Sequence, residues 1–411
     1  MTARGDVDLR ATIVIPSYWG RASGEALNPG DAVYDHPTPL DEPGTLERAL
    51  ESIKVLKNRD FNVVVISAAT HSELSSEAEE KVRDIVAPFE DRFPVVCVSH
   101  SFEAEVRERI RETGFSDVEG LVSITGYSNI RNMCLIVTEL ARSEVAVLFD
   151  DDEVYEDPDY IDKVFENMGK EREGKPVGAI AGYYVRPEGG YLLPPPDDWW
   201  MTEWPMVEAM NEAFKIIDHE PRLKPTPFVF GGNMCIHRDV FHRVAFDPNV
   251  RRGEDIDYLV NCKFFGIDFL LDRELSIRHL PPKTQVPAWK HFRENVYRFL
   301  YARQKLRQQH PVDGLRHVDV EELDPYPGRC MRDDLEDLIF RTSVLTGMHY
   351  KDIGDGVGFK ESMRNIYLAR YDASPDFDTF MLYLEYQRRW EELMKYLTKD
   401  EMFSRKLLGG T

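Results

Sequence analysis

Three consecutive carboxylates, Asp150, Asp151 and Asp152, are the densest chemistry in this chain. They follow Val145-Ala146-Val147-Leu148-Phe149, and turn-prone Asp157-Pro158-Asp159 comes soon after. A short apolar run of that kind reads as a strand buried in the middle of a parallel sheet. Acids at its carboxyl end sit where open α/β sheets bind ligands. Like charges in a row repel one another unless a cation or hydrogen-bond donors neutralise them. Hard oxygen ligands suit Mg²⁺ or Mn²⁺, which commonly keep few protein carboxylates and complete their shell with phosphate oxygens and water. The triplet therefore reads as a metal–diphosphate site; the blander alternative is a solvated acidic turn. An EF-hand loop does not fit, because the sixth position counted from Asp150 is Tyr155, where glycine is needed.

Four further groups carry candidate chemistry. Arg131 stands in the first turn of a predicted helix with Asn129 and Asn132, where exposed amides and a guanidinium suit an anion; the alternative is an ordinary surface cation. Gly231-Gly232-Asn233 allows a backbone to approach a ligand, or simply makes a tight turn. Glu254 and Asp255 open another helix, a place where the helix dipole alone favours acids. His279 ends a strand in the same predicted sheet, as a ligand or as a structural residue.

The elements that must position these groups alternate. Strands are predicted at 11–16, 61–66, 95–98, 145–149 and 177–185, with short ones at 269–271 and 276–277. Helices are predicted from Thr45, over 74–86 and from Ser128. This alternation implies an α/β fold, a mostly parallel sheet with covering helices. Two connections stand out. Residues 17–44 are rich in Gly, Pro and Asp, and 186–227 carry Tyr191, Trp199, Trp200 and Trp204 among prolines and glycines. Long irregular segments are usually functional or mobile, so the second is expected to stack on a sugar or a hydrophobic acceptor, or to plug the core. From Trp289 the chain reads as helical, with a basic stretch through Lys290, His291, Arg293, Arg298, Arg303 and Lys305 that either reaches back to a diphosphate or, the reading favoured for any single residue, forms a solvated face, and with amphipathic segments near 334–347 and 378–397. A catalytic region over 1–284 and a helical region over 285–411 are expected.

Composition narrows the function classes. The formal net charge of −22 over 411 residues argues against general nucleic-acid or anionic-membrane binding. No apolar run approaches the roughly 18 residues of a membrane span. The segment Met1 to Arg10 has no apolar centre, so it is not read as a signal peptide, and a cytoplasmic location is expected. The five cysteines are scattered with no C-x-x-C pair, which points to reduced, buried thiols.

The order Ile13-Val14-Ile15-Pro16, Ser128-Asn129-Ile130-Arg131-Asn132, Phe149-Asp150-Asp151-Asp152, Gly231-Gly232-Asn233, Gly253-Glu254-Asp255, Arg278-His279 resembles glycosyltransferases of the GT-A fold. The resemblance spans roughly residues 10–284 and is strongest to the family-2 enzymes that include cellulose and chitin synthases. It implies a nucleotide-diphosphate-sugar donor, an unknown hydroxyl acceptor and a divalent metal (Mn²⁺ or Mg²⁺). It implies Asp150, Asp152 and His279 at the metal, and Pro16, Ser17, Tyr18, Arg131, Asn132, Asp150, Asp151, Gly232 and Asn233 around the donor. It also implies Glu254-Asp255 as the catalytic pair, with Asp255 the general base of an inverting transfer. Two departures stand against the pattern. The second strand ends in Ile66-Ser67-Ala68-Ala69-Thr70, with no acid to read the base. The 17–44 connection is also longer than usual, and its Tyr34-Asp35-His36-Pro37 is expected over the nucleotide. Competing readings are a sugar-phosphate nucleotidyltransferase and a non-catalytic metal-binding scaffold. A homodimer is expected through the apolar faces of the C-terminal helices.

Overall fold

The computed structural model describes residues 9–407 except 26, 27, 29, 113, 115, 197 and 283–285. Most of Met1 to Arg10 and the expected boundary at 284/285 therefore lie outside the described residues. The sheet is built on β1 (Ala11–Gly20), β2 (Phe61–Ala69), β3 (Val95–Val98), β4 (Val145–Leu148), β5 (Ala179–Val185), β6 (Met234–His237) and β7 (Leu270–His279). Their order is β7-β5-β6-β4-β1-β2-β3, with Leu223–Pro225 added outside β7. β1 pairs in parallel with β2 and with β4, β2 with β3, and β5 with β7. β6 runs antiparallel to both its neighbours. The α/β class and the mostly parallel sheet are thus as the alternation implied.

Alternation along β1 explains the two layers. Val14 faces one apolar core and Ile13 and Ile15 face the other, because successive strand residues point to opposite faces. The second core is covered by α1 (Leu46–Ile53) and α2 (Ser75–Val86). The first is covered by α3 (Tyr127–Leu140), α4 (Glu254–Phe264) and the long helices α5 (Ala288–Arg307) and α6 (Thr379–Lys399). The C-terminal region therefore shares one core with the sheet: Trp390 donates its indole N–H to the Phe241 carbonyl at 2.8 Å, and Leu393 and Leu397 are fully buried. The apolar face of α6, one basis for expecting a dimer, is spent inside the chain. Among the described residues no helix is long and apolar enough to cross a membrane.

Several boundaries differ from expectation. β1 runs on to Gly20, four residues past Pro16, because β2 pairs with it as far as Trp19. The two short strands near 269–277 are one strand, whose pairing with β5 slips between Leu271 and Ser276; such an irregularity interrupts the alternation on which a sequence reading depends. Helices at His100–Glu112 and Gly356–Tyr371 were not anticipated. The second leaves Val357, Tyr367 and Tyr371 exposed, so it lacks a clean apolar stripe.

Strand lengths open the site. β4 stops at Leu148, opposite Val14, while β1 continues to Gly20. Beyond that point β1 has lost its β4 partner, and the turn carrying the three aspartates fills the gap.

Candidate active site

Each aspartate of the triplet has a different neighbour. Ser17, on the overhanging end of β1, donates to Asp151 at 2.8 Å. Asp151 is buried, and burial together with the nearby Asp152 charge raises its carboxyl well above the ordinary range. This favours its neutral form and relieves part of the repulsion within the triplet. Asp152 is brought to His279 by strand pairing: Glu153 lies opposite His279 in a short antiparallel ladder, and the Leu280 amide donates to the Asp152 carbonyl at 2.8 Å. His279 Nε2 then lies 3.2 Å from the Asp152 carboxylate. Burial works against the ionised Asp152, but the His279 hydrogen bond and the nearness of His279 and His36 outweigh it and hold the group below its usual value. Tyr184 stacks on the His279 ring at 4.8 Å and fixes its plane.

Asp150 is paired with a cation. Both its oxygens are held by the Arg131 guanidinium, at 2.7 and 3.0 Å, in a bidentate pair. Arg131 is itself buried and needs a counter-charge, which Asp150 supplies in this arrangement. The third arm of Arg131 reaches Glu254 Oε1 at 3.2 Å. One arginine thus ties the acidic turn to the start of α4.

Another part of the cavity wall begins at that helix. Gly253, at φ +72°, turns the chain into α4, and a Cβ there would meet the Arg298 guanidinium at 2.9 Å. Burial pushes Glu254 up to about 7 against the pull of Arg131. Burial also raises Asp255, although Arg298 works in the other direction. The Asp255 carboxylate accepts from the Ile256 amide at 2.8 Å and lines the cavity. Arg252 pairs with Asp35 at 3.1 Å, and Arg298 donates to the Tyr326 hydroxyl. The enclosed space is about 250 Å³.

Not every predicted donor residue reaches this space. Asn132 is fully buried: it donates to the Phe246 carbonyl and accepts from the Phe246 amide, both at 2.8 Å, and it donates to Tyr386 at 3.0 Å. Asn233 is likewise used up by the Tyr183 and Leu275 carbonyls and the Tyr160 hydroxyl. The Gly232 amide donates to Tyr184, and a Cβ at that position would collide with the Glu153 carboxylate at 2.1 Å. Gly232 is therefore a packing requirement. Pro16 lies within buried β1, and Ser17 is spent on Asp151. Tyr18, Arg131, Asp150, Asp151, Asp152, Glu254, Asp255 and His279 do line the cavity.

Asp35 and His36, set over the nucleotide by expectation, also form part of the wall. Tyr127, Tyr184, Arg252 and Tyr326 were missed as site residues, and of the basic stretch read as reaching back to a diphosphate or as a solvated face, Arg298 reaches the cavity. Arg252 had one usable signal, its place two residues before Glu254. The others sit in helix and strand patterns that read as core or surface. Of the aromatic segment, Trp204 packs on Phe292 and Phe299 and is a core plug, whereas Trp200 stacks on His349.

Among the described residues no three His, Cys, Asp or Glu side chains form a group able to hold a metal ion. Asp152 and His279 offer a two-residue donor set, one carboxylate and one imidazole facing a cavity large enough for phosphate oxygens and water. That set fits a divalent ion that takes most of its ligands from substrate.

No family model and no curated protein matches the chain. Solved structures of similar shape include a mannosyltransferase from Pyrobaculum calidifontis in complex with GDP-Man and Mn²⁺, at 15% identity and TM-score 0.43, covering 95% of this chain and 85% of that one. A mycobacterial protein is similar at 15% identity and TM-score 0.38, covering 72% and 75%. GalNAc-T7 with UDP, GalNAc and Mn²⁺ is similar at 13% identity and TM-score 0.37, covering 77% of this chain and 54% of that one.

Proposed function

We propose that the protein is a metal-dependent glycosyltransferase that moves a sugar from a nucleotide-diphosphate donor to a hydroxyl acceptor. One observation carries the reading: the Asp152–His279 pair and the half-buried Asp255 line a single cavity. In this reading Asp152 and His279 hold the divalent ion, which when bound stabilises negative charge on the departing diphosphate. Arg131 is the brace between the acidic turn and the start of α4, through Asp150 and Glu254. Tyr18, whose buried hydroxyl has no protein partner, faces the donor.

Asp255 is the general base. Glycosyl transfer passes through an oxocarbenium-like state, as glycoside hydrolysis does. The acceptor oxygen bonds to the anomeric carbon, the bond from that carbon to the diphosphate oxygen breaks, and the acceptor proton passes to the Asp255 carboxylate. The raised affinity of Asp255 for protons suits this role. Attack from the face opposite the diphosphate inverts the anomeric centre. Arg298, near Asp255, limits how far its basicity rises.

The test is calorimetric titration with UDP and with GDP, each with and without Mn²⁺, followed by product analysis with the matching sugar nucleotide. Metal-dependent binding of one nucleotide and release of nucleoside diphosphate are expected. Release of pyrophosphate instead, or no nucleotide binding with any metal, would sink the proposal.

A further inference from the structure

A second, larger hollow adjoins the cavity. It encloses about 760 Å³ and lies between the Pro248–Arg251 segment, α5 and the loop after Tyr371. Arg298 lines both spaces. One stretch of chain also serves both: Pro248 to Arg251 faces the hollow, and Arg252 to Ile256 faces the cavity. Asp255 thus lies four residues beyond the last residue of that stretch to face the hollow.

The lining mixes aromatic faces with polar groups. Tyr297, Tyr301, Tyr371 and Phe377 supply aromatic surface, and Asn249, Asp372, Ser374 and Asp376 supply short polar groups. The floor is rigid: Tyr301 donates to Asp247 at 2.8 Å, and Asp247 is held by buried Lys305. The far wall is tied to α5, since Gln304 donates to the Pro375 and Phe377 carbonyls at 2.8 and 3.0 Å. Arg251 covers the Tyr297 ring at 4.7 Å. Tyr371 is 70% exposed, with the Tyr367 ring 5.0 Å from its own.

The geometry points to this hollow as the acceptor subsite, and to a neutral oligosaccharide as the acceptor. This rests on the transferase reading above. Aromatic faces pack on the apolar C–H faces of a pyranose, while short polar side chains bond its hydroxyls. The two acids, Asp372 and Asp376, are matched by two cations, Arg251 and Arg298, so the lining carries no net charge to attract an ionic ligand, while its carboxylates accept from sugar hydroxyls. The volume lies within the usual range of ligand sites, roughly 300–1,000 Å³, and exceeds that of the adjoining cavity. A chain bound there would pass its terminal hydroxyl by Arg298 toward Asp255.

The test uses saturation-transfer NMR on the full chain with neutral disaccharides and tetrasaccharides of glucose, mannose and galactose, beside small hydroxycarboxylates. At least one neutral tetrasaccharide is expected to bind, better than its disaccharide. Tyr371→Ala is expected to weaken that binding roughly tenfold, about the worth of one stacking contact. Its exposure means the change should leave folding intact, and nucleotide titration should match the parent. No glycan binding, equal binding by parent and variant, or preference for a hydroxycarboxylate would overturn the inference. Normal metal-dependent nucleotide binding alongside any of these would leave the transferase reading standing; its loss in the parent chain would remove both.

Discussion

Two buried charge networks lie along α4, and they are built on opposite terms. Toward the middle of the helix, Lys305 meets Asp257 at 2.7 and 2.9 Å, Asp247 at 2.7 Å and Asn261 at 3.2 Å. Tyr301 takes up a further Asp247 oxygen contact. Burial disfavours the charged lysine, but the two aspartates outweigh it and keep Lys305 protonated. At the start of the helix the accounting is incomplete. Tyr18 Oη, His36 Nδ1, Glu153 Oε1 and Arg252 Nη1 are buried without a partner. Three acids crowd one turn, and burial raises Asp151, Glu153, Glu254 and Asp255. A satisfied network holds a fold together; an unsatisfied one beside a cavity is what a ligand completes.

That contrast can be broken by substitution, because loss of activity and loss of stability should separate. Asp152→Asn has the largest expected effect, a fall in turnover on the order of 10⁴-fold, the scale of losing a metal ligand that neutralises the leaving group. Its melting temperature should fall only slightly, because the His279 contact that favours the ionised Asp152 is part-exposed and an amide keeps one acceptor for it. A variant that melted early would move Asp152 to the structural side. Lys305→Met should do the reverse and cost about 3–5 kcal/mol, because two aspartates stay buried without their cation. Denaturant titration measures this, and the protein that remains folded should bind nucleotide as the parent does.

Asp255→Asn is expected to lower transfer by at least about 10²-fold while leaving metal-dependent nucleotide binding intact. Near-normal turnover in this variant would retire Asp255 as base. Asn132→Ala should cost about 1–3 kcal/mol through the unpaired Phe246 backbone, with no change in nucleotide affinity. Weakened nucleotide binding at unchanged stability would return Asn132 to the donor site. The smallest effect concerns pH. Asp255 must be ionised to take a proton and its proton affinity is raised, so the acid limb of kcat/KM should lie above the ordinary aspartate range. Because Arg298 favours ionised Asp255, Arg298→Met should move that limb to higher pH; an unmoved limb would mean that another group sets it.

The places where reading the sequence went astray share a cause. Asn132 and Asn233 lie beside true cavity residues, Arg131 and Gly231, and are short polar residues in the right motif. Nothing in their spacing reveals that Phe246, Tyr183 and Leu275 use up their hydrogen bonds. Asp150 was placed near the metal or the donor by its resemblance to an Asp-x-Asp motif, and nothing in that motif reveals its bidentate pairing with Arg131. Conversely, Arg298 lies 43 residues beyond Asp255 in the numbering. Only the packing of α5 on α4 brings it to the site.

What the sequence alone determined is local and periodic. The apolar run ending at Phe149 made a buried strand, its acids had to emerge at the carboxyl end, and the strand–helix alternation required a mostly parallel sheet. His279 at a strand end and Glu254-Asp255 at a helix start follow from the same patterns. The tertiary structure decided which of these groups meet. The Glu153–His279 register set His279 against Asp152, the longer β1 left room for the acidic turn, and Arg131 chose Asp150 and Glu254 as partners. Apart from the Arg131–Asp150 pair, which spans 19 residues, those outcomes depend on contacts between segments more than a hundred residues apart, whose energies are set by burial and geometry that no short window of sequence contains.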